Sequence, residues 1–136
     1  KQYEFPVING EKFITENYLY YQIDKKYQLS IVPQSLIVCE YLDDGYSKNI
    51  VNVIKKNPKG YILYYQMLIK DATSFADRFK YSVALNRVLM LSGVKNKKKY
   101  YKNKLLYYLS NIIARLIIIK RGEHCEKSNN DSDTNL

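Results

Sequence analysis

At Asp71 the apolar pattern of this chain changes period, and that change limits the possible folds more than any single motif does. Downstream, Phe75, Phe79, Val83, Asn86 and Met90 recur at three- and four-residue steps, with Asp77, Lys80, Ala84 and Arg87 opposite them. Such steps place one set of side chains along a single face of a helix. Asp71 or Ser74 is positioned to cap the free N–H groups at its start, and Gly93 to end it. A second helix is expected to begin within residues 97–101 and to stop at Gly122. Its regular stripe, Tyr101, Leu105, Tyr108, Ile112, Leu116 and Ile119, is expected to face the core.

Upstream of Asp71 the pattern is that of short antiparallel strands. Residues 3–8 and 11–15 flank Asn9-Gly10, a strong hairpin signal because both residues tolerate positive φ. Residues 18–23 and 27–32 flank Asp24-Lys25-Lys26 as a second tight connection, with Pro33 interrupting the run. Residues 35–42 are short and apolar and favour a strand. Residues 50–56 and 61–69, around Asn57-Pro58-Lys59-Gly60, read as another hairpin, with a short helix over residues 47–56 as the alternative. Tyr, Ile and Val dominate these segments, as half-buried pleated surfaces favour. The expectation is therefore an α+β domain over residues 1–122: an antiparallel sheet of N-terminal hairpins, two C-terminal helices packed on one face, and a flexible acidic tail over 123–136.

A chain of 136 residues with 46% apolar composition is long enough to bury one core. Lys outnumbers Arg by 18 to 4 and Trp is absent, a usage that points to an AT-rich genome. Starting at Lys1, without an initiator Met or a signal-peptide pattern, the chain reads as a fragment or processed form. Cys39 and Cys125 make no disulfide framework. Free thiols in a reducing intracellular compartment (cytoplasm, nucleus or organelle matrix) are the expectation. The longest apolar block, residues 105–119, is broken by Ser110, Asn111 and Arg115, so no transmembrane helix is expected.

Few residues invite a catalytic reading. The stretch Tyr41-Leu42-Asp43-Asp44 resembles the metal-binding carboxylate pair of reverse transcriptases, but no third carboxylate with a supporting motif accompanies it. Asp-Asp-Gly before Tyr46 is equally what a turn wants, and a turn is the reading adopted. His124 beside Cys125 lacks the four ligands of a zinc site, and the five glycines form no phosphate-binding loop. No catalytic residue, metal or cofactor is expected, and an enzyme is the less favoured class.

Charge is the remaining signal. The net charge is +9, yet residues 1–46 carry 4 basic and 7 acidic side chains, while residues 47–122 carry 17 basic and 2 acidic. A domain so divided attracts polyanions. Between residues 94 and 108, Lys95, Lys97, Lys98, Lys99, Lys102 and Lys104 surround Tyr100 and Tyr101. Ammonium groups neutralise phosphates, and tyrosine rings stack on unpaired bases. Lys48, Lys55, Lys56, Lys59 and Lys70 precede this run, and Arg78, Lys80 and Arg87 lie on the first expected helix. The site expected from the sequence is thus Lys55, Lys56, Lys59 and the lysines and tyrosines of 95–104, binding RNA backbone within a larger assembly. Lysines spread over a soluble surface, with tyrosines filling a core, account for the same residues. With few Arg, base-specific readout is disfavoured. A protein partner is expected to cover the second helix at Tyr107, Asn111, Arg115 and Ile118, and an anionic membrane surface is the alternative partner. The tail acids Glu123, Glu126, Asp131 and Asp133 are placed to fold onto the lysines and compete with polyanions.

Overall fold

The computed structural model describes residues 3–28, 30–40, 45 and 49–123. Among these residues it contains helices and no strand, so the expected antiparallel sheet, and the α+β class with it, is overturned. Helix α1 spans Asn17–Asp24, α2 Ile50–Lys56, α3 Pro58–Asp71, α4 Phe75–Leu91 and α5 Lys104–Lys120, with a 3₁₀ turn at Lys97–Tyr100 before the last.

The hairpins fail for local reasons. Asn9-Gly10 does turn: Gly10 has φ 84°, and the Ile8 carbonyl accepts the Glu11 N–H at 3.1 Å. The limb that follows then bonds to helix starts and not to a neighbouring strand. Asn57 Oδ1 accepts the N–H groups of Lys12 and Phe13 at 2.9 and 3.0 Å. The Glu11 carboxylate accepts the N–H groups of Lys59 and Gly60 at 2.6 and 2.8 Å. Those two donors are orphans of the first turn of α3, so Glu11 caps that helix from another part of the chain. Pro58, read as a turn residue, instead occupies the first position of α3, where its missing N–H is no loss.

In α2 and α3 burial, and not β-propensity, decides the short apolar runs, whereas α1 buries no residue. Residues 17–24 coil as α1 and leave Asp24-Lys25-Lys26 at its end. Tyr61 and Leu68, seven residues apart, are buried on one face of α3, while Val53 and Ile54 anchor α2. Residues 35–40 are exposed and irregular, and residues 41 and 42 of that expected strand lie outside the described ones.

Helix α4 is the central element, flanked by α3 and α5 and touched by α2. Ser74 caps it, accepting the Asp77 N–H at 3.0 Å, and Gly93 at φ 67° follows its end. Its C-terminal half is buried nearly all round, with Leu85, Val88, Leu89 and Leu91 in one cluster with α2 and α3, and Val83 and Met90 in a second with α5. The stripe expected along α4 therefore holds only in part, and Phe75 stands 69% exposed.

Helix α5 is rotated relative to expectation. It buries Leu106, Ser110, Ala114 and Ile118 against α4 and turns the stripe Leu105, Tyr108, Ile112, Leu116 and Ile119 outward. A polar lock fixes this orientation. Asn86 Nδ2 of α4 donates to Ser110 Oγ at 2.8 Å and to the Tyr107 carbonyl at 3.3 Å. The small Ser110 and Ala114 let the two backbones approach, which a row of Leu and Ile would not. Glu123, expected in the flexible tail, closes the end of α5 on α4: its carboxylate takes a two-pronged bond from Arg87 at 2.7 and 2.5 Å. Residues 124–136, with His124, Cys125, Glu126, Asp131 and Asp133, lie outside the described residues.

Candidate nucleic-acid interface

The segment joining α4 to α5 builds the site. After Gly93 the chain makes the 3₁₀ turn Lys97–Tyr100, then extends through Tyr101 and Lys102 to Asn103, whose side chain caps α5 by accepting the Leu106 N–H at 3.2 Å. Tyr101 is the anchor of this segment. Its hydroxyl donates to the Ser82 carbonyl of α4 at 2.8 Å, and burial pushes its phenol well above the ordinary value. Tyr101 is thus a structural tyrosine, and Tyr100 beside it packs against the main core cluster while lining the cleft.

Anchoring Tyr101 lays residues 100–103 across the ends of α3 and α4 and encloses a cleft of about 430 Å³. Its cations are Lys70 from the end of α3, Arg78 from the first turns of α4, and Lys102 from the linking segment. Its rings are Tyr100, Tyr101 and the exposed Phe75, its amides Gln66 and Asn103, its floor Ile69 and Leu106, and among the described residues no carboxylate lines it. The neighbouring acids are engaged elsewhere: Asp71 pairs with Lys25, and Asp77 accepts the Ser74 hydroxyl at 2.6 Å. Arg78 is oriented by the Ala72 carbonyl, to which it donates at 2.9 Å.

Of the residues singled out from sequence, the fold brings Lys70, Arg78, Tyr100, Tyr101 and Lys102 into this cleft. Lys98 lies outside it, donating to the Tyr108 hydroxyl at 2.6 Å with its ammonium 4.9 Å from that ring's centre, a bond that holds Lys98 above its usual pKa. Lys99 sits 5.2 Å from the centre of the Tyr100 ring. Lys95, Lys97 and Lys104 follow the same connection without lining the cleft. Lys55 and Lys56 end α2 and Lys59 begins α3, away from the cleft lining. Lys48 lies outside the described residues. Among the residues expected to meet a partner, Ile118 is 6% exposed and belongs to the core. Tyr107 and Asn111 are half-buried and Arg115 is exposed, so the accessible apolar face of α5 lies on the other side.

Phe75, Gln66 and Asn103 were not legible as site residues. Phe75 carried a signal in principle, since it opens its helix only one residue after the Ser74 cap, where a core-facing position is often still uncovered. Asp43 and Asp44 lie outside the described residues, and among the described ones no three His, Cys, Asp or Glu side chains gather as metal ligands. Comparison with protein families, with curated proteins and with solved structures finds no match for this chain.

Proposed function

We propose that the chain is a non-enzymatic, basic binding module that holds single-stranded RNA in the cleft between α3, α4 and residues 100–103. Lys70, Arg78 and Lys102 neutralise consecutive phosphates, and an unpaired base stacks at Phe75 and Tyr100. The observation that carries this reading is the composition of the cleft: three cations from three separate segments, three rings and, among the described residues, no carboxylate. A small acidic metabolite needs fewer aromatic surfaces, and a duplex presents no free base to stack. Lys97, Lys98 and Lys99 extend the cationic path beyond the cleft, and Lys55, Lys56 and Lys59 supply long-range attraction. With one sign of charge and no bidentate guanine readers besides Arg78, binding is general for sequence. The exposed free thiol of Cys39 fits work in a reducing intracellular compartment.

The test is fluorescence anisotropy with a uridine-rich RNA strand across a salt series. Log affinity is expected to fall linearly with log salt. Combined Lys70→Gln, Arg78→Gln and Lys102→Gln substitution is expected to flatten that slope by about 2, at about 0.7 per lost phosphate contact. Phe75→Ala is expected to weaken binding about tenfold at every salt concentration, since a stacked base contributes about 1–3 kcal/mol. Affinity that ignores both variants, or a double-stranded RNA bound as tightly as the single strand, would refute the cleft as the site.

A further inference from the structure

The outward side of α5 is more apolar than the side it buries. Leu105, Leu109, Ile112, Ile113, Leu116 and Ile119 form one exposed band along a helix of about 25 Å, while Ser110 and Ala114 face α4. Ile112 and Leu116 are each 57% exposed and Ile119 is 75% exposed, well beyond the scattered apolar residues of an ordinary soluble surface. The charges bordering this band have one sign. Lys104 and Arg115 run along one flank, with Arg115 held by Asn111 Oδ1 at 3.1 Å, and Lys120 lies at the C-terminal end, where Arg121 is already paired with the Glu123 carboxylate at 4.0 Å. Residues 94–122 contain no Asp or Glu at all.

These charges discriminate among occupants. A second copy of the chain packed α5 against α5 would bring Lys104 and Lys120 together in the antiparallel arrangement, and like beside like in the parallel one, with no acid to relieve either. A protein groove could take the convex aliphatic ridge, but it would also have to supply acidic walls for the cations at its borders. An acyl-chain surface under anionic headgroups satisfies both features at once.

We propose that α5 is a membrane-surface anchor: it lies in the plane of an anionic leaflet, its outward band among the upper methylenes and Lys104, Arg115 and Lys120 over lipid phosphates. The helix does not cross the bilayer, and no helix among the described residues is long and apolar enough to do so. The face is separate from the cleft, so the anchor and the RNA site are independently testable.

The experiment is flotation of the full chain with vesicles of phosphatidylcholine alone and of phosphatidylcholine with about a third phosphatidylserine. Partition onto the anionic vesicles only is expected. Ile112→Asp with Leu116→Asp is expected to reduce it about a hundredfold, with helical circular dichroism and RNA anisotropy unchanged because both side chains are exposed. Arg115→Gln with Lys120→Gln is expected to reduce it about fivefold per cation. No partition onto either vesicle, or equal partition onto both, would overturn the proposal. A dimer in sedimentation velocity that the double Asp variant dissolves, without vesicle binding, would overturn it in favour of a second copy.

Discussion

Replacing Glu11 by alanine tests the least expected feature of the fold, the docking of the N-terminal segment onto the start of α3. The Glu11 carboxylate accepts the Lys59 and Gly60 N–H groups at 2.6 and 2.8 Å, while Asn57, 8% exposed, accepts the N–H groups of Lys12 and Phe13 and donates to the Val53 carbonyl at 3.0 Å. In Glu11→Ala the Lys59 N–H can recover water, because that residue is only half-buried. The Gly60 N–H belongs to a buried residue, and leaving it unpaired costs about 1–3 kcal/mol. Loss of a carboxylate from a helix N-terminus adds about 0.3–1 kcal/mol. The expected destabilisation is therefore about 2–3 kcal/mol, a fall in Tm of about 10 °C for a domain of this size. Urea unfolding followed by helical circular dichroism measures it. Glu11→Gln, which keeps one acceptor oxygen, is expected to lose about half as much. Gly60→Ala strains the same joint, since a Cβ there would stand 3.2 Å from the Phe13 carbonyl and 3.3 Å from Ile14 Cγ1. Combined with Asn57→Ala, the Glu11→Ala loss should be less than additive, because each residue positions the segment the other holds. A Glu11→Ala chain within about 0.5 kcal/mol of the parent would show that residues 11–13 do not dock on α3.

Two further perturbations address the α4–α5 joint. Glu123→Ala strands the Arg87 guanidinium, 17% exposed, without its partner, and is expected to cost about 2–3 kcal/mol in the same urea assay, below the range for a fully buried pair. A loss under about 0.5 kcal/mol would mean that Glu123 belongs to the solvated tail. Burial raises the phenols of Tyr61, Tyr64, Tyr65 and Tyr101, so above pH of about 10 the unfolded chain releases protons that the native state retains. The stability is present below that pH and declines as pH rises toward the folded values, by up to about 1.4 kcal/mol per pH unit for each tyrosine. Tyr101→Phe is expected to flatten the alkaline limb of the stability–pH curve by one such increment, and an unchanged limb would refute its burial.

What the sequence disclosed followed the strength of local signals. Ser74 and Gly93 bracket α4 because a hydroxyl cap and a left-handed glycine act within a few residues of their own position. Asn9-Gly10 likewise makes its turn. The sheet was misread because pairing is not local: whether residues 11–15 meet residues 3–8 or the start of α3 depends on Asn57, more than forty positions away. Short runs of Tyr, Val and Ile fit a pleated surface and a buried helix equally, and Pro58 serves a turn and a helix start alike. At the site, clustering of Lys97–Lys102 in sequence was visible, but the arrival of Lys70 and Arg78 beside Lys102 depended on Tyr101 reaching the Ser82 carbonyl.

The inversion of α5 has a physical cause that periodicity alone does not register. A stripe of Leu and Ile states that a surface must be covered, and it does not name the cover. Ser110 and Ala114 carry the complementary information, since a small, hydrogen-bonding row selects a close neighbour able to answer it. Asn86, buried in the centre of α4, supplies that answer through Ser110 Oγ and the Tyr107 carbonyl. Turning α5 to bury its aliphatic band would strip Asn86 Nδ2 of both acceptors inside the core, at a cost of about 1–3 kcal/mol, and would force large side chains where two backbones now approach. The Asn86 bonds and the close approach of α4 and α5 at Ser110 and Ala114 both favour the observed orientation, and a fold that presents such a surface outward, with cations at its borders, is preorganised for an external apolar phase of opposite charge.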